Sequence, residues 1–322
     1  MTATESENPT ARNERGAADK NAGGGVGSAA RWPGEFVQLG SARLFVRHAE
    51  PIGSTTEPAV FVHGLGGSAT NWTDLMGGLR DVLDGYAVDL PGFGRSPVSD
   101  AGSEDYTPAG HAAVVAEYIR HSFGGRPVHV FGNSLGGAVA VQLGARHPEL
   151  VRTMTLVSPA LPDRMPMLSN ISMPVVAIPR LGEWMNRRMA GRPAVDRAVA
   201  MVDMCWAEPS RVSPARRADL ITDIEERDQL DHAQPVMLAS LRGLVATFFD
   251  ESDDKPWSLA GRIDVPVIAV YGRDDKLVNP RAAFRASKAF PNARVVVIPD
   301  SGHVSQMEHP DLIADLWREL AR

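Results

Sequence analysis

Cysteine occurs once in the 322 residues, at Cys205, so no intramolecular disulfide can staple the chain and its stability must come from a packed core. The neighbours of that thiol, Met204 and Trp206, mark it as a packing residue rather than a nucleophile. Long apolar runs are missing too. No stretch approaches the roughly 18 uninterrupted apolar residues of a membrane helix, and the N-terminus has no apolar core of a secretory signal. A cytoplasmic location is the expectation. Basic charge is not in excess: Lys and Arg number 33 against 39 Asp and Glu, a formal net charge of -6. That balance lacks the positive footprint of nucleic-acid binding. No His, Cys, Asp or Glu spacing has the pattern of a metal site, the acidic run 250–254 reads as a solvent loop, and neither metal nor organic cofactor is expected.

What is present is a globular composition, 43% hydrophobic and 22% charged, at a length suited to one large domain carrying an insertion. Residues 1–31, without an aromatic and rich in Ala, Gly, Asn and Glu, read as a disordered tail. Regular punctuation begins at Phe36. Strands are expected at 36–39 and 42–48, joined as a hairpin at Gly40-Ser41. Four short apolar runs follow at 59–62, 86–89, 128–131 and 153–157. A helical pattern covers 106–121, with Thr107 as cap and Pro108 in the first turn. Strands alternating with helices imply a mostly parallel sheet covered on both faces. The alternation stops over 160–255, a stretch of helices and loops holding eight of the chain's 12 methionines. It resumes with strands at 265–271 and 294–298 and an amphipathic helix from Pro310. The expected organisation is therefore a tail (1–31), a first core segment (32–159), a helical cap (160–255) and a second core segment (256–322).

The sharpest chemical signal is Gly132-Asn133-Ser134-Leu135-Gly136, directly after a strand and before a helix. A G-x-S-x-G pattern there sets serine on a tight turn at the end of the sheet, with flanking glycines relieving crowding; a plain turn serine is the alternative. A serine hydroxyl needs a base to take its proton. Of nine histidines, His303 alone follows a strand end in a Ser301-Gly302 turn, and strand C-termini line the crevice of an open α/β sheet. His111 and His121 lie on a helix and His129 within a strand. His63 suits a loop brace. The base needs an acid to orient it, and Asp274 and Asp275 both follow the strand 265–271, where aspartate is also an ordinary turn residue. Oxyanion donors are expected at the Leu135 N–H, next to the nucleophile, and at Leu65 in His63-Gly64-Leu65-Gly66-Gly67.

Together these segments resemble the α/β-hydrolase superfamily over roughly residues 36–322. The matching pieces are VHGLGG from Val62, DLPGFGRS from Asp89, GNSLGG from Gly132, GRDDKLVNP from Gly272 and SGHVSQMEHP from Ser301. The resemblance implies an α/β-hydrolase fold, mostly parallel and flanked by helices with an inserted helical cap. It also implies the order Ser134, Asp275, His303 for the triad, and it is this comparison that prefers Asp275 to Asp274. Asp89 is taken as structural. Serine in the elbow separates the chain from haloalkane dehalogenases and epoxide hydrolases, which carry aspartate there. Asn133 resembles the hydrolases that cleave carbon–carbon bonds in ring-fission products. Those usually have tryptophan where this chain has Val304, and they use a cap arginine, for which Arg187 and Arg188 are the candidates. The expected activity is hydrolysis of a small-molecule carboxylic ester, with an apolar acyl or alcohol group accommodated by the cap methionines Met165, Met167, Met173, Met185, Met189, Met201, Met204 and Met237. Carbon–carbon hydrolysis and a non-catalytic receptor are the alternatives.

Overall fold

The computed structural model of the protein describes residues 31–54, 56–98, 105–162 and 172–321, with the side chains at 172–174 excepted. The expected tail, apart from Arg31, lies outside these residues, as do Met165, Met167 and the side chain of Met173.

Eight strands form one sheet: β1 (Gly34–Leu39), β2 (Ala42–Ala49), β3 (Glu57–Val62), β4 (Leu83–Val88), β5 (Val128–Asn133), β6 (Val151–Val157), β7 (Val267–Gly272) and β8 (Ala293–Ile298). Their order is β1-β2-β4-β3-β5-β6-β7-β8. The β1–β2 hairpin turns at Gly40, whose φ of 53° suits glycine, and pairs Leu39 with Ala42. β2 is antiparallel to β4, and from β4 onward every pairing is parallel.

The strand pleat sorts the core into two layers. Val60, Val62, Val130, Val267 and Ala269 face one apolar cluster, while Ala59, Phe61, Phe131, Ile268 and Val270 face the other. Helix α1 (Thr73–Leu79) contributes to the second cluster. Helices α2 (Pro108–Phe123) and α3 (Leu135–Arg146) cover the first. Burial of both faces is why the central strands read as continuous apolar runs rather than as alternating ones. The Thr107 side chain caps α2 by accepting from Gly110 N, and Gly124 ends it at a φ of 61°.

Between β6 and β7 the chain forms α4 (Ser172–Ala177), α5 (Leu181–Ala190), α6 (Ala194–Cys205), α7 (Pro214–Asp228) and α8 (Ala233–Ala246). This segment has an apolar cluster of its own, in which Ala198, Val202, Trp206, Leu220 and Ile224 pack against Val304 from the segment after β8. Helices α9 (Pro256–Ala260), α10 (Ala282–Ala289), α11 (Ser305–Glu308) and α12 (Pro310–Leu320) complete the fold, with α12 on the α1 face. No described helix is long and apolar enough to cross a membrane.

Boundaries move where backbone chemistry dictates. The strand expected from residue 265 begins at Val267, after Pro266, which has no N–H for the ladder. The helix expected from residue 106 begins at Pro108 because Thr107 is the cap. The elbow helix starts at Leu135, directly after Ser134.

Candidate active site

β5 ends at Asn133 and α3 begins at Leu135, so Ser134 alone makes the turn. Its φ of 54° and ψ of −116° put a non-glycine residue in a strained conformation. Backbone contacts hold it there: Ser134 N donates to Val157 O at 3.1 Å, and Ser134 O accepts from Ala138 N and Ala160 N at 3.1 and 3.0 Å. The flanking glycines are required by proximity. A Cβ on Gly132 would stand 2.4 Å from Gly136 O, and one on Gly136 would stand 2.1 Å from Val62 O. The partly exposed Ser134 hydroxyl makes no hydrogen bond to a described residue.

The loops after β7 and β8 meet because those strands are adjacent and parallel. Asp274 N donates to Ser301 O at 2.9 Å, and a Cβ on Gly272 would collide with Gly302 O at 2.0 Å. This contact brings Asp275 to His303, whose Nδ1 lies 3.0 Å from Asp275 Oδ2 and 3.2 Å from Oδ1. Leu277 N and Val278 N donate to Asp275 Oδ1 at 2.8 and 3.0 Å. Burial acts to raise the Asp275 carboxyl, but the His303 ring and the two amides outweigh it and hold it below the usual carboxylate range. Two neighbouring carboxylates are thereby told apart: the Asp275 side chain is 1% exposed, whereas that of Asp274 is 46% exposed and pairs with Arg273. His303 is anchored to the elbow by Asn133, whose amide donates to His303 O and Val157 O at 3.0 Å each. The amide nitrogen is spent on these two carbonyls. It is engaged in holding the histidine loop to β6.

The loop after β3 crosses the elbow, and a Cβ on Gly64 would lie 3.1 Å from Ser134 Cβ. Gly66 has a φ of 71°, and Gly67 N closes the turn on Gly64 O at 3.0 Å. The Leu65 and Leu135 amides donate to no acceptor among the described residues; the latter is an orphan donor of the first turn of α3.

His63 braces this loop. Its Nδ1 donates to Gly64 O at 2.8 Å, and Nε2 accepts from Leu90 N at 3.0 Å, which requires the neutral ring. Burial, opposed by the bond to Gly64 O, pushes the imidazole down to about 4. A base depressed in the folded state adds stability above its unfolded pKa, and this is lost as pH falls from there toward the folded value. The unfolding free energy of the wild type relative to His63→Gln is therefore expected to fall by about 1.4 kcal/mol per pH unit between about pH 6.5 and 4. Denaturant titrations of both proteins across that window check this; a pH-independent difference would contradict it. Asp89 is likewise structural in its contacts, accepting from Ala69 N at 2.6 Å and Arg95 N at 2.8 Å. Burial dominates over these bonds and pushes its carboxyl up to about 6.

The remaining candidates lie elsewhere. Arg187 and Arg188 are exposed on α5, where Arg188 stands 5.8 Å from the Trp184 ring centroid. Met189 and Met204 are exposed, while Met237 approaches the turn, its sulfur 3.9 Å from where a Gly66 Cβ would be. The Cys205 thiol is buried, and burial pushes it up to about 12. His129 joins Thr153 Oγ1 and Glu57 Oε2 at 2.7 Å each, at the opposite end of the sheet beside a cavity of about 690 Å³. That row stitches three strands and has no turn to present its hydroxyl. Asp254, in the acidic run, pairs with Arg146 and Arg262. Two residues without a sequence signal do touch the site: Asp223 and Arg227 on α7 reach the loop after β3.

A mostly parallel sheet wound by helices, a serine elbow and a buried His–Asp pair at the strand C-termini define an α/β-hydrolase-type protein. The profile of the alpha/beta hydrolase fold family matches residues 58–310, and the chain belongs to that family. It is 28% identical over 278 residues to the dihydrolipoyllysine-residue acetyltransferase component of the acetoin cleaving system of Cupriavidus necator, covering 85% of this chain and 65% of that one. It is 25% identical to Lipase 1 of Psychrobacter immobilis, covering 84% and 78% of the two chains. With a 2-hydroxy-6-oxononadienedioate/2-hydroxy-6-oxononatrienedioate hydrolase of Cupriavidus pinatubonensis it shares 26% identity, over 81% of this chain and 86% of that one.

Proposed function

We propose that the protein is a serine hydrolase of carboxylic esters with an apolar acyl or alcohol group. Ser134 Oγ attacks the ester carbonyl while His303 Nε2 takes its proton, and Asp275 on Nδ1 holds the ring and favours the imidazolium. The tetrahedral oxyanion faces the Leu65 and Leu135 N–H groups. Collapse expels the alcohol, which takes the proton from His303 and leaves an acyl group on Ser134. Water, deprotonated by His303, then attacks that acyl group, and collapse returns the proton to Ser134 and releases the acid. Helices α4–α8 act as a cap over this site. The observation that carries the reading is the buried Asp275–His303 Nδ1 pair tied by Asn133 to the serine elbow. It leaves Nε2 for the serine, and in unliganded enzymes that last bond is often long.

Two observations favour esters over ring-fission diketones. The Asn133 amide is engaged with His303 O and Val157 O, and Val304 is buried in an apolar cluster with residues of α6 and α7. The likeness to a lipase supports the same side, and the likeness to a dienedioate hydrolase supports the other. The test is kcat/KM for p-nitrophenyl esters of graded acyl length and for a vinylogous ring-fission diketone on one preparation. Esters are expected to lead. A ten-fold advantage for the diketone, about 1.4 kcal/mol of transition-state stabilisation, would transfer the assignment to carbon–carbon hydrolysis. A serine-reactive phosphonate is expected to label Ser134, and its failure to do so would favour a receptor on this fold.

A further inference from the structure

Helix α7 lies along the stretch that begins as the glycine turn after β3 and continues into α1, and grips it at three points on one face. Arg216 donates to both carboxylate oxygens of Asp74 at 2.8 Å. Asp223 Oδ2 accepts from Ser68 Oγ at 2.9 Å and Thr70 Oγ1 at 2.5 Å. Arg227 Nη1 donates to Gly66 O at 2.9 Å. Positions 216, 223 and 227 share a helix face at spacings of seven and four. We propose that Asp223 and Arg227 are positioning residues that set the geometry of the oxyanion loop. This rests on the serine-hydrolase reading of Ser134.

The need for such a grip follows from the loop's composition. Gly64, Gly66 and Gly67 have little intrinsic preference for one shape, and a single internal bond, Gly67 N to Gly64 O, closes the turn. His63 fixes the loop's start through Gly64 O. Among the described residues, Gly66 O, directly after Leu65, is held only by Arg227 of α7. Gly66 O and Gly67 N–H share one peptide plane, and Gly64 O and Leu65 N–H share another, so Arg227 on Gly66 O acts on the Leu65 donor through the Gly67 N to Gly64 O bond. An oxyanion donor must stand about 2.7–3.1 Å from the developing charge, and the loop runs so near the nucleophile that a Cβ at position 64 would lie 3.1 Å from Ser134 Cβ. Displacement of α7 therefore moves the donor relative to the nucleophile. The bond to Gly66 O is the one side-chain hydrogen bond that Arg227 makes among the described residues, and its buried Nε has no partner there. Asp223 in turn is neutralised by Arg31, whose Nη2 lies 2.9 Å from its Oδ1.

The test compares Arg227→Met, Arg227→Lys, Asp223→Asn and the Met/Asn double variant with the wild type on acetyl, butyryl and octanoyl p-nitrophenyl esters. Arg227→Met is expected to lower kcat by about 10- to 100-fold, a fraction of the loss on deleting an oxyanion donor outright. KM should stay within about three-fold, the factor should be the same for all three acyl lengths, and phosphonylation of Ser134 should slow in parallel. Arg227→Lys is expected to recover part of the loss, and the double variant to lose less than the product of the singles, because the two residues act as one unit. Folding is checked by thermal melts; where Arg227→Met does not fold, Asp223→Asn is held to a kcat loss of at least three-fold. A folded Arg227→Met with kcat within two-fold of wild type overturns the proposal. So does a loss confined to an added carboxylate-bearing ester, which would make Arg227 a substrate contact. A wild type that neither turns over the esters nor takes phosphonate at Ser134 overturns the serine-hydrolase reading and this inference with it.

Discussion

Replacing Ser134 by alanine is expected to lower kcat for any hydrolysed ester by roughly 10,000-fold or more, to the level the site retains without a nucleophile. In the proposed mechanism the hydroxyl is the only group of Ser134 that reacts, and it makes no hydrogen bond to a described residue, so its loss is expected to remove chemistry without opening the core. The backbone bonds to Val157 O, Ala138 N and Ala160 N persist in alanine, which meets the same restriction at positive φ. The unfolding free energy is expected to change by less than about 0.5 kcal/mol, a shift in Tm of about 2 °C or less for a chain of this size. Ser134→Gly is expected to be equally inactive and no less stable than the alanine variant, since glycine accepts a φ of 54° without strain. Residual turnover above one per cent in a preparation free of wild type would remove Ser134 from the mechanism.

The second large effect is expected at the acid. Asp275→Asn keeps the shape of the side chain, and its amide oxygen can still accept from Leu277 N and Val278 N in place of Oδ1. The amide NH₂ would then face His303 Nδ1 and turn that nitrogen into an acceptor. The proton moves to Nε2, and the ring can no longer take one from Ser134. The expected cost is about 10,000-fold in kcat with KM little changed. Asp274→Asn, on a side chain directed at Arg273 and solvent, is expected to stay within two-fold of wild type. Activity of Asp275→Asn within ten-fold of wild type would refute the assignment. Stability supplies a separate signature. A carboxyl depressed in the folded state adds stability above the ordinary carboxylate value near about pH 4 and loses it as pH falls below that value. The stability difference between wild type and Asp275→Asn should thus be level above about pH 5 and change only in acid.

Much of the scaffold was legible because it depends on neighbours in sequence. The runs around Val60, Val130 and Ile268 announce doubly buried strands, Gly40 announces the hairpin, and Thr107 with Pro108 announces a helix start. The elbow motif is legible in adjacent letters: Gly132 is required by Gly136 O four residues on, and although Gly136 is required by Val62 O of β3, both glycines flank Ser134. The least legible strand feature was order. β4 sits between β2 and β3, and nothing in the spacing of the runs encodes that choice.

Local chemistry therefore determined the class of the sheet, the serine turn and the position of the histidine loop, since each follows from short-range sterics, capping and apolar periodicity. Tertiary structure decided between neighbours that sequence leaves equivalent. Asp275 rather than Asp274 meets His303 because adjacent residues of a turn point in different directions, and only the packing of the β7 and β8 loops selects one. Asn133, a resemblance to carbon–carbon hydrolases when read as a letter, became a brace once its amide met His303 O, 170 residues away. Arg187 and Arg188 fell to the exposed side of α5, while Arg227 reached Gly66 across 161 residues. Such contacts join segments whose separation in the chain is uncorrelated with their separation in space, so only the closed fold can bring their charges and carbonyls within hydrogen-bonding distance.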